Sequence, residues 1–118
     1  MLKDNNIRLR HMLDAAREAI AFSENKTRES LDSDKQLVRA LEKSIEIIGE
    51  AAVHVLEEVR HDLLGIPWTN IIGMRNHLIH AYFDINLDIL WKTIIEDLPP
   101  LITELEKILE GKNVQNDH

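Results

Sequence analysis

Apolar residues recur three and four positions apart through most of this 118-residue chain, the spacing that puts them on one side of a helix lying against a core. Glycine and proline are scarce, and Gly65-Ile66-Pro67, Pro99-Pro100 and Gly111 divide the periodic segments. The pattern predicts an all-α bundle of about five helices. The first runs from about Asn6 to Ser23, with Ile7, Met12, Leu13, Ala16, Ile20 and Phe22 supplying most of its apolar side. Glu24 to Ser33 has little periodicity and reads as a loop. Asp34 then offers a side-chain oxygen to the first free backbone N–H groups of a long helix reaching about His61.

In that long helix Leu37, Leu41, Ile45, Ile48, Ala52, Val55 and Val59 form one stripe, widened by Val38 and Leu56. A second row, Ala40, Ser44, Ile47 and Ala51, is mostly small and allows another backbone to approach closely. Two accounts fit this surplus of apolar surface: a central helix touching several neighbours, or a helix that buries part of its surface against a second copy of the chain. Periodicity does not separate them. Pro67 suits the first turn of a third helix, about Pro67 to Ala81, because its missing N–H would have no intrahelical partner there. Asn86 is placed to cap a short fourth helix carrying Leu87, Leu90, Trp91, Ile94 and Ile95. Pro99-Pro100 restarts the chain into a last helix with Leu101, Ile102, Leu105, Ile108 and Leu109, which Gly111 can end in a left-handed conformation. Residues 1–111 are thus expected to form one domain and 112–118 a polar, disordered tail.

Charge narrows the function. With 14 Lys and Arg against 21 Asp and Glu the net charge is -7, so diffuse attraction to nucleic acid or an anionic membrane is not expected, and any polyanion must be held by a local basic site. The absence of Cys excludes a disulfide framework, a Cys-ligated metal and a thiol nucleophile. The N-terminus has no apolar run of signal-peptide type and no segment is apolar for long enough to cross a bilayer. A soluble cytoplasmic protein with no membrane partner is the expectation.

The densest polar cluster is Arg75-Asn76-His77-Leu78-Ile79-His80-Ala81-Tyr82. Asn76 and His80 are one helical turn apart and share a face, and the long Arg75 side chain can reach round to them. A guanidinium fork suits phosphate oxygens, and an imidazole takes or gives a proton near neutral pH. Those are the needs of phosphodiester chemistry. On spacing alone the plainer account is stronger: a surface ion pair for Arg75, a backbone bond for Asn76 and partly buried histidines. His11, His54, His61 and His118 contain no i, i+4 ligand pair, so no metal site is expected. Glu46 and Glu50 share a helix face, most simply a solvated one, although Glu50 can support a cleft. Trp68 and Trp91 read as packing anchors.

The wider motif is more specific. Ile66-Pro67-Trp68, Ile71-Ile72-Gly73-Met74-Arg75-Asn76, Leu78-Ile79-His80 and Tyr82-Phe83 resemble the signature region of the HepT-like branch of the HEPN superfamily. Ile47-Ile48-Gly49-Glu50-Ala51-Ala52 resembles that branch's long-helix motif, Arg10-His11-Met12-Leu13 with Ala15-Ala16 its first helix, and Trp91-Lys92-Thr93-Ile94 with Asp97-Leu98-Pro99 its ending. The similarity extends from about Asp4 to Leu109.

The resemblance implies a helical homodimer whose Arg and His line a shared cleft, acting as a metal-independent ribonuclease without a cofactor. It also implies the toxin of a type VII-like toxin–antitoxin pair, whose antitoxin is a small MNT-type nucleotidyltransferase. The family's Arg-x4-His-x-Tyr falls on Arg75, His80 and Tyr82: the first two as catalytic residues, the Tyr as acceptor when the antitoxin transfers AMP from ATP. Asn76 is assigned to orienting His80, with a backbone role as the alternative. The alternative for the whole chain is a catalytically inactive helical module that only engages the nucleotidyltransferase.

Overall fold

The computed structural model describes the backbone of residues 2–79 and 86–116, and side chains within 4–74 and 86–110. Among the described residues there is no strand. The helices are α1 (Leu2–Ser23), α2 (Ser30–Ser33), α3 (Lys35–His54), α4 (Glu57–Asp62), α5 (Trp68–Ile79), α6 (Leu87–Lys92) and α7 (Leu98–Asn116), with a turn of π-helix, Thr93–Asp97, between the last two. No helix among the described residues is long and apolar enough to cross a membrane.

The α1/α3 contact is the most extensive, and α3 also packs on α5 and, less broadly, on α2 and α6. Leu37, Val38, Leu41, Ile45, Ile48, Ala52 and Val55 are buried, as the stripe predicts. Of the second row Ser44 and Ala51 are buried, while Ile47 remains 39% exposed. The small residues therefore serve packing inside the chain: with Ala15, Ala16 and Ala19 of α1 also buried, the two backbones can lie close together. This favours the central-helix account. The molecule measures 50 × 28 × 19 Å, roughly two helix diameters thick.

Local capping holds where it was expected. Asp34 accepts from the Leu37 N–H at 3.0 Å and Asn86 from the Ile89 N–H at 3.1 Å. Packing changes other expectations. The buried seam of α1 is Asn5, Leu9, Met12, Leu13, Ala16, Ala19 and Ser23, whereas Ile7 and Phe22 face out. The helix starts at Leu2 rather than Asn6, which brings Asn5 into the seam. Part of the expected loop is helical, as α2, with Leu31 buried. Asn25 takes a left-handed φ of 63° just after α1, a conformation asparagine tolerates at a helix end.

The long helix does not reach His61. Val55 and Leu56 turn extended, with ψ of 131° and 140°, and the Leu56 N–H donates to Asn5 Oδ1 at 3.0 Å. A tertiary bond thus satisfies the donor that leaves the helix, in a stretch where Val53 and Val55 have only modest helix preference. Leu56 consequently points outward, 39% exposed, instead of widening the stripe.

Nor does Pro99-Pro100 restart the chain. Helical backbone continues from Leu87 to Asn116, with both prolines in the first turn of α7. The Leu98 N–H bonds to the Thr93 carbonyl, five residues back. This wider turn eases the clash between a proline ring and the carbonyl of the preceding turn. The added residue rotates the pattern, so Thr93, Ile94 and Leu98 face the core and Ile95 is 48% exposed. Gly111 does not end α7, which runs on into the expected tail as far as Asn116; an internal helical glycine is tolerated at a modest propensity cost.

Candidate functional site

The helix that carries the Arg75 motif is anchored at its beginning. Ile66 is buried, and the Trp68 indole N–H donates to the Leu63 carbonyl at 3.0 Å. The Pro67 carbonyl accepts the first helical bond, from the Ile71 N–H at 3.0 Å, so α5 begins at Trp68, one residue later than expected. Trp68 is a packing anchor, 9% exposed, as its sequence context suggests. Ile71 and Met74 are also buried and hold α5 against the core. Arg75 and Asn76 follow directly, in the second half of the helix. His80 and Tyr82 lie outside the described residues, as do Ala81 and Asp84-Ile85. The described structure therefore supplies an anchored helix whose second half carries Arg75 and Asn76, and its described part stops at Ile79.

Beside α5 lies a half-open cavity of about 550 Å³, bordered on its other side by residues of α6, the π turn and the start of α7. Thr69 and Gly73 border it from α5; they are four apart, and position 76 continues their row by helical period. Ile71, Met74 and Leu101 contribute apolar wall, and Asn70, Thr93, Glu96 and Asp97 contribute polar groups. Partial burial holds the Asp97 carboxyl above the ordinary carboxylate range; Glu96 beside it adds to this and Lys92 opposes it.

A second hollow, about 230 Å³, lies between α1 and α3. Glu46 and Glu50 share its α3 wall, as their spacing suggests, but Arg8 and His11 of α1 face them together with Lys43 and His54. The Nε2 of His54 is 3.4 Å from Glu50 Oε1. The only sequence signals were the helical spacings Arg8/His11 and Glu46/Glu50/His54; which helix pairs with which is a tertiary fact. Among the described residues no three His, Asp or Glu side chains are grouped to hold a metal ion.

Other charges among the described residues tie helices together or form an acidic surface. Arg17 pairs with Glu106 and Glu110 at 2.6 and 3.3 Å, tying α1 to α7. Arg28 pairs with Asp32 and Asp88 at 3.0 and 2.6 Å, tying the loop before α2 to α6. Glu57, Glu58, His61 and Asp62 surround an open, mainly acidic hollow on α4, an unfavourable surface for a phosphate backbone.

Comparison with known proteins agrees with the motif. The family model described as ribonuclease HepT-like matches residues 12–108. A protein named "Putative RNase" from Caldanaerobacter subterraneus subsp. tengcongensis is 42% identical over 82 residues, covering 70% of this chain and 73% of its own. One named "Probable ribonuclease HepT" from Thermococcus cleftensis is 39% identical over 95 residues, covering 77% and 86% respectively. A "Putative RNase" from Methanocaldococcus jannaschii is 34% identical over 95 residues, covering 80% and 87%. No solved structure matches the chain.

Proposed function

The chain belongs to the ribonuclease HepT-like family of the HEPN superfamily, and from that premise we propose that it is a metal-independent endoribonuclease acting as the toxin of a toxin–antitoxin pair. The observation that carries the reading is the match over residues 12–108, which takes in the anchored helix α5, with Arg75 and Asn76, and the positions of His80 and Tyr82. An inactive module has no chemical need for that set.

RNA provides its own nucleophile. The 2'-hydroxyl attacks the adjacent phosphorus, forming a P–O2' bond and breaking the P–O5' bond, to leave a 2',3'-cyclic phosphate and a 5'-hydroxyl. One His80 takes the 2'-hydroxyl proton and a second, from another copy of the chain, protonates the leaving O5'. Arg75 holds the phosphate and stabilises charge on its non-bridging oxygens; Asn76 orients His80. Two copies also bring two guanidinium groups to one cleft, the local basic site that a chain of net charge -7 requires. A body 19 Å thick leaves helix faces for such a partner to cover.

Control in this reading is covalent. An MNT-type nucleotidyltransferase directs the Tyr82 phenol oxygen at the α-phosphorus of ATP; the Tyr–AMP bond forms, pyrophosphate leaves, and the phenol proton passes to a base of the antitoxin. The added phosphate pairs with Arg75 and repels incoming RNA.

The test is incubation of the purified, unmodified protein with RNA and with DNA in EDTA. RNA alone should be cut, and Arg75→Ala and His80→Ala should each lower the rate at least about a hundredfold. Light scattering should give twice the 13.7 kDa chain mass. Undiminished cleavage by His80→Ala, or a monomer that cuts at full rate, would overturn the mechanism.

A further inference from the structure

Among the described residues, none requires a glycine at position 73. It lies in the middle of α5, where glycine costs a helix roughly 0.5 to 1 kcal/mol relative to alanine. Among the described residues, nothing beyond its chain neighbours and the helix's own backbone comes within 4 Å of the position its Cβ would occupy, so packing against them does not demand the small residue. Its missing side chain instead opens the cavity of about 550 Å³ between α5 and α7, a volume within the range of small-molecule sites. The row Thr69, Gly73 and position 76 leads from this cavity to the phosphate-handling end of the same helix.

The walls select an occupant. Pro67, Met74 and Pro100 offer apolar surface against which a flat heterocycle can lie. Asn70, Glu96 and Asp97 offer amide and carboxylate groups to its edge. Two neighbouring carboxylates disfavour a phosphate here but accept N–H donors. Guanine presents two adjacent N–H donors, N1 and the exocyclic N2, which match the two oxygens of one carboxylate. Uracil presents a single N–H flanked by carbonyl oxygens, which a carboxylate repels.

We infer that the cavity between α5 and α7 is a nucleobase subsite that accepts guanine from the RNA strand, with Gly73 providing the space and Asp97 the acceptor. The inference rests on the reading of the chain as a ribonuclease, and it gives that nuclease a preference for guanosine at one fixed position beside the scissile bond. Asp97 is a specificity residue in this arrangement and takes no part in proton transfer.

Two measurements on the full-length protein test it. In the first, the four nucleoside 3'-monophosphates are titrated and backbone amide resonances are followed. The guanosine nucleotide should perturb Thr69, Gly73, Thr93 and Leu101 most strongly. Gly73→Leu, which puts a bulky side chain into the cavity at the α5 wall, should abolish the response, and Asp97→Asn should weaken binding about tenfold to a hundredfold. No response at these amides, an equal response to all four nucleotides, or an unchanged response in Gly73→Leu overturns the inference. In the second, the ends of cleaved random-sequence RNA are sequenced. Wild type should show a guanosine bias that both variants lose, with the bias loss in Asp97→Asn exceeding any loss of overall rate. A bias retained in both variants overturns it, as does loss of the dimer in Gly73→Leu, which would assign the space to a second copy. A wild-type protein that binds the guanosine nucleotide at these amides but cuts no RNA sinks the nuclease reading and leaves the subsite standing.

Discussion

Alanine at position 73 should make the protein more stable. The perturbation is one methyl group on the sixth residue of the twelve-residue helix α5. Among the described residues, nothing beyond its chain neighbours and the helix's own backbone lies within 4 Å of its position, so there is no overlap with them to relieve and the helix-propensity gain of about 0.5 to 1 kcal/mol is realised almost whole. For a chain of this length, about 3 to 6 °C of melting temperature corresponds to each kcal/mol, so Gly73→Ala should melt roughly 2 to 6 °C higher. Thermal unfolding by circular dichroism, backed by urea titration with an unchanged m-value, measures it. A lower melting temperature would refute the reasoning, because it would mean that something already occupies the space. If that fall deepens with protein concentration, the occupant is another copy of the chain. A gain in stability accompanied by weaker guanosine binding is the trade expected of a residue kept for function.

Asn5→Ala removes the acceptor for the Leu56 N–H at a seam where Asn5 is only 4% exposed; the cost should be about 1 to 3 kcal/mol, read as a fall in denaturation midpoint that Asn6→Ala does not share. Glu42 tests the sign of a buried charge. Burial, aided by Glu46 and opposed by Arg39, raises its carboxyl above the ordinary range, and its Oε2 is buried without a hydrogen-bond partner. With the folded-state value raised, ionisation weighs against the fold, so wild type loses stability as pH rises through that value. Glu42→Gln should therefore be more stable than wild type at pH 7, by less than about 1 kcal/mol given the remaining solvent contact; the gap should close below about pH 4, where the unfolded carboxyl is protonated too. Incubation with an MNT-type nucleotidyltransferase and ATP should add AMP at Tyr82, detected by mass spectrometry and lost in Tyr82→Phe; modification elsewhere, or equal covalent silencing of the variant, would refute that assignment.

What the sequence determined by itself is whatever depends on neighbours three to five residues away. Asp34 and Asn86 cap their helices through i→i+3 bonds, and the stripe from Leu37 to Val55 points inward because the helical repeat aligns it. The Arg75-to-Tyr82 motif is likewise local in sequence, although only its helical beginning lies among the described residues. The tertiary structure decided the rest through partners distant in the chain. α3 stops at Val55 because Asn5, 51 residues away from Leu56, takes the freed N–H. The π turn admits Pro99 and Pro100 into continuous helix and turns Ile95 outward, a rotation that a simple helical repeat does not contain. His11 and His54 share a hollow only because α1 lies along α3. The cavity at Gly73 exists only because α6, the π turn and the start of α7 border the same space as α5. Periodicity shows which face of a helix is apolar; which other helix meets that face, and where the two leave a space, is set by three-dimensional packing.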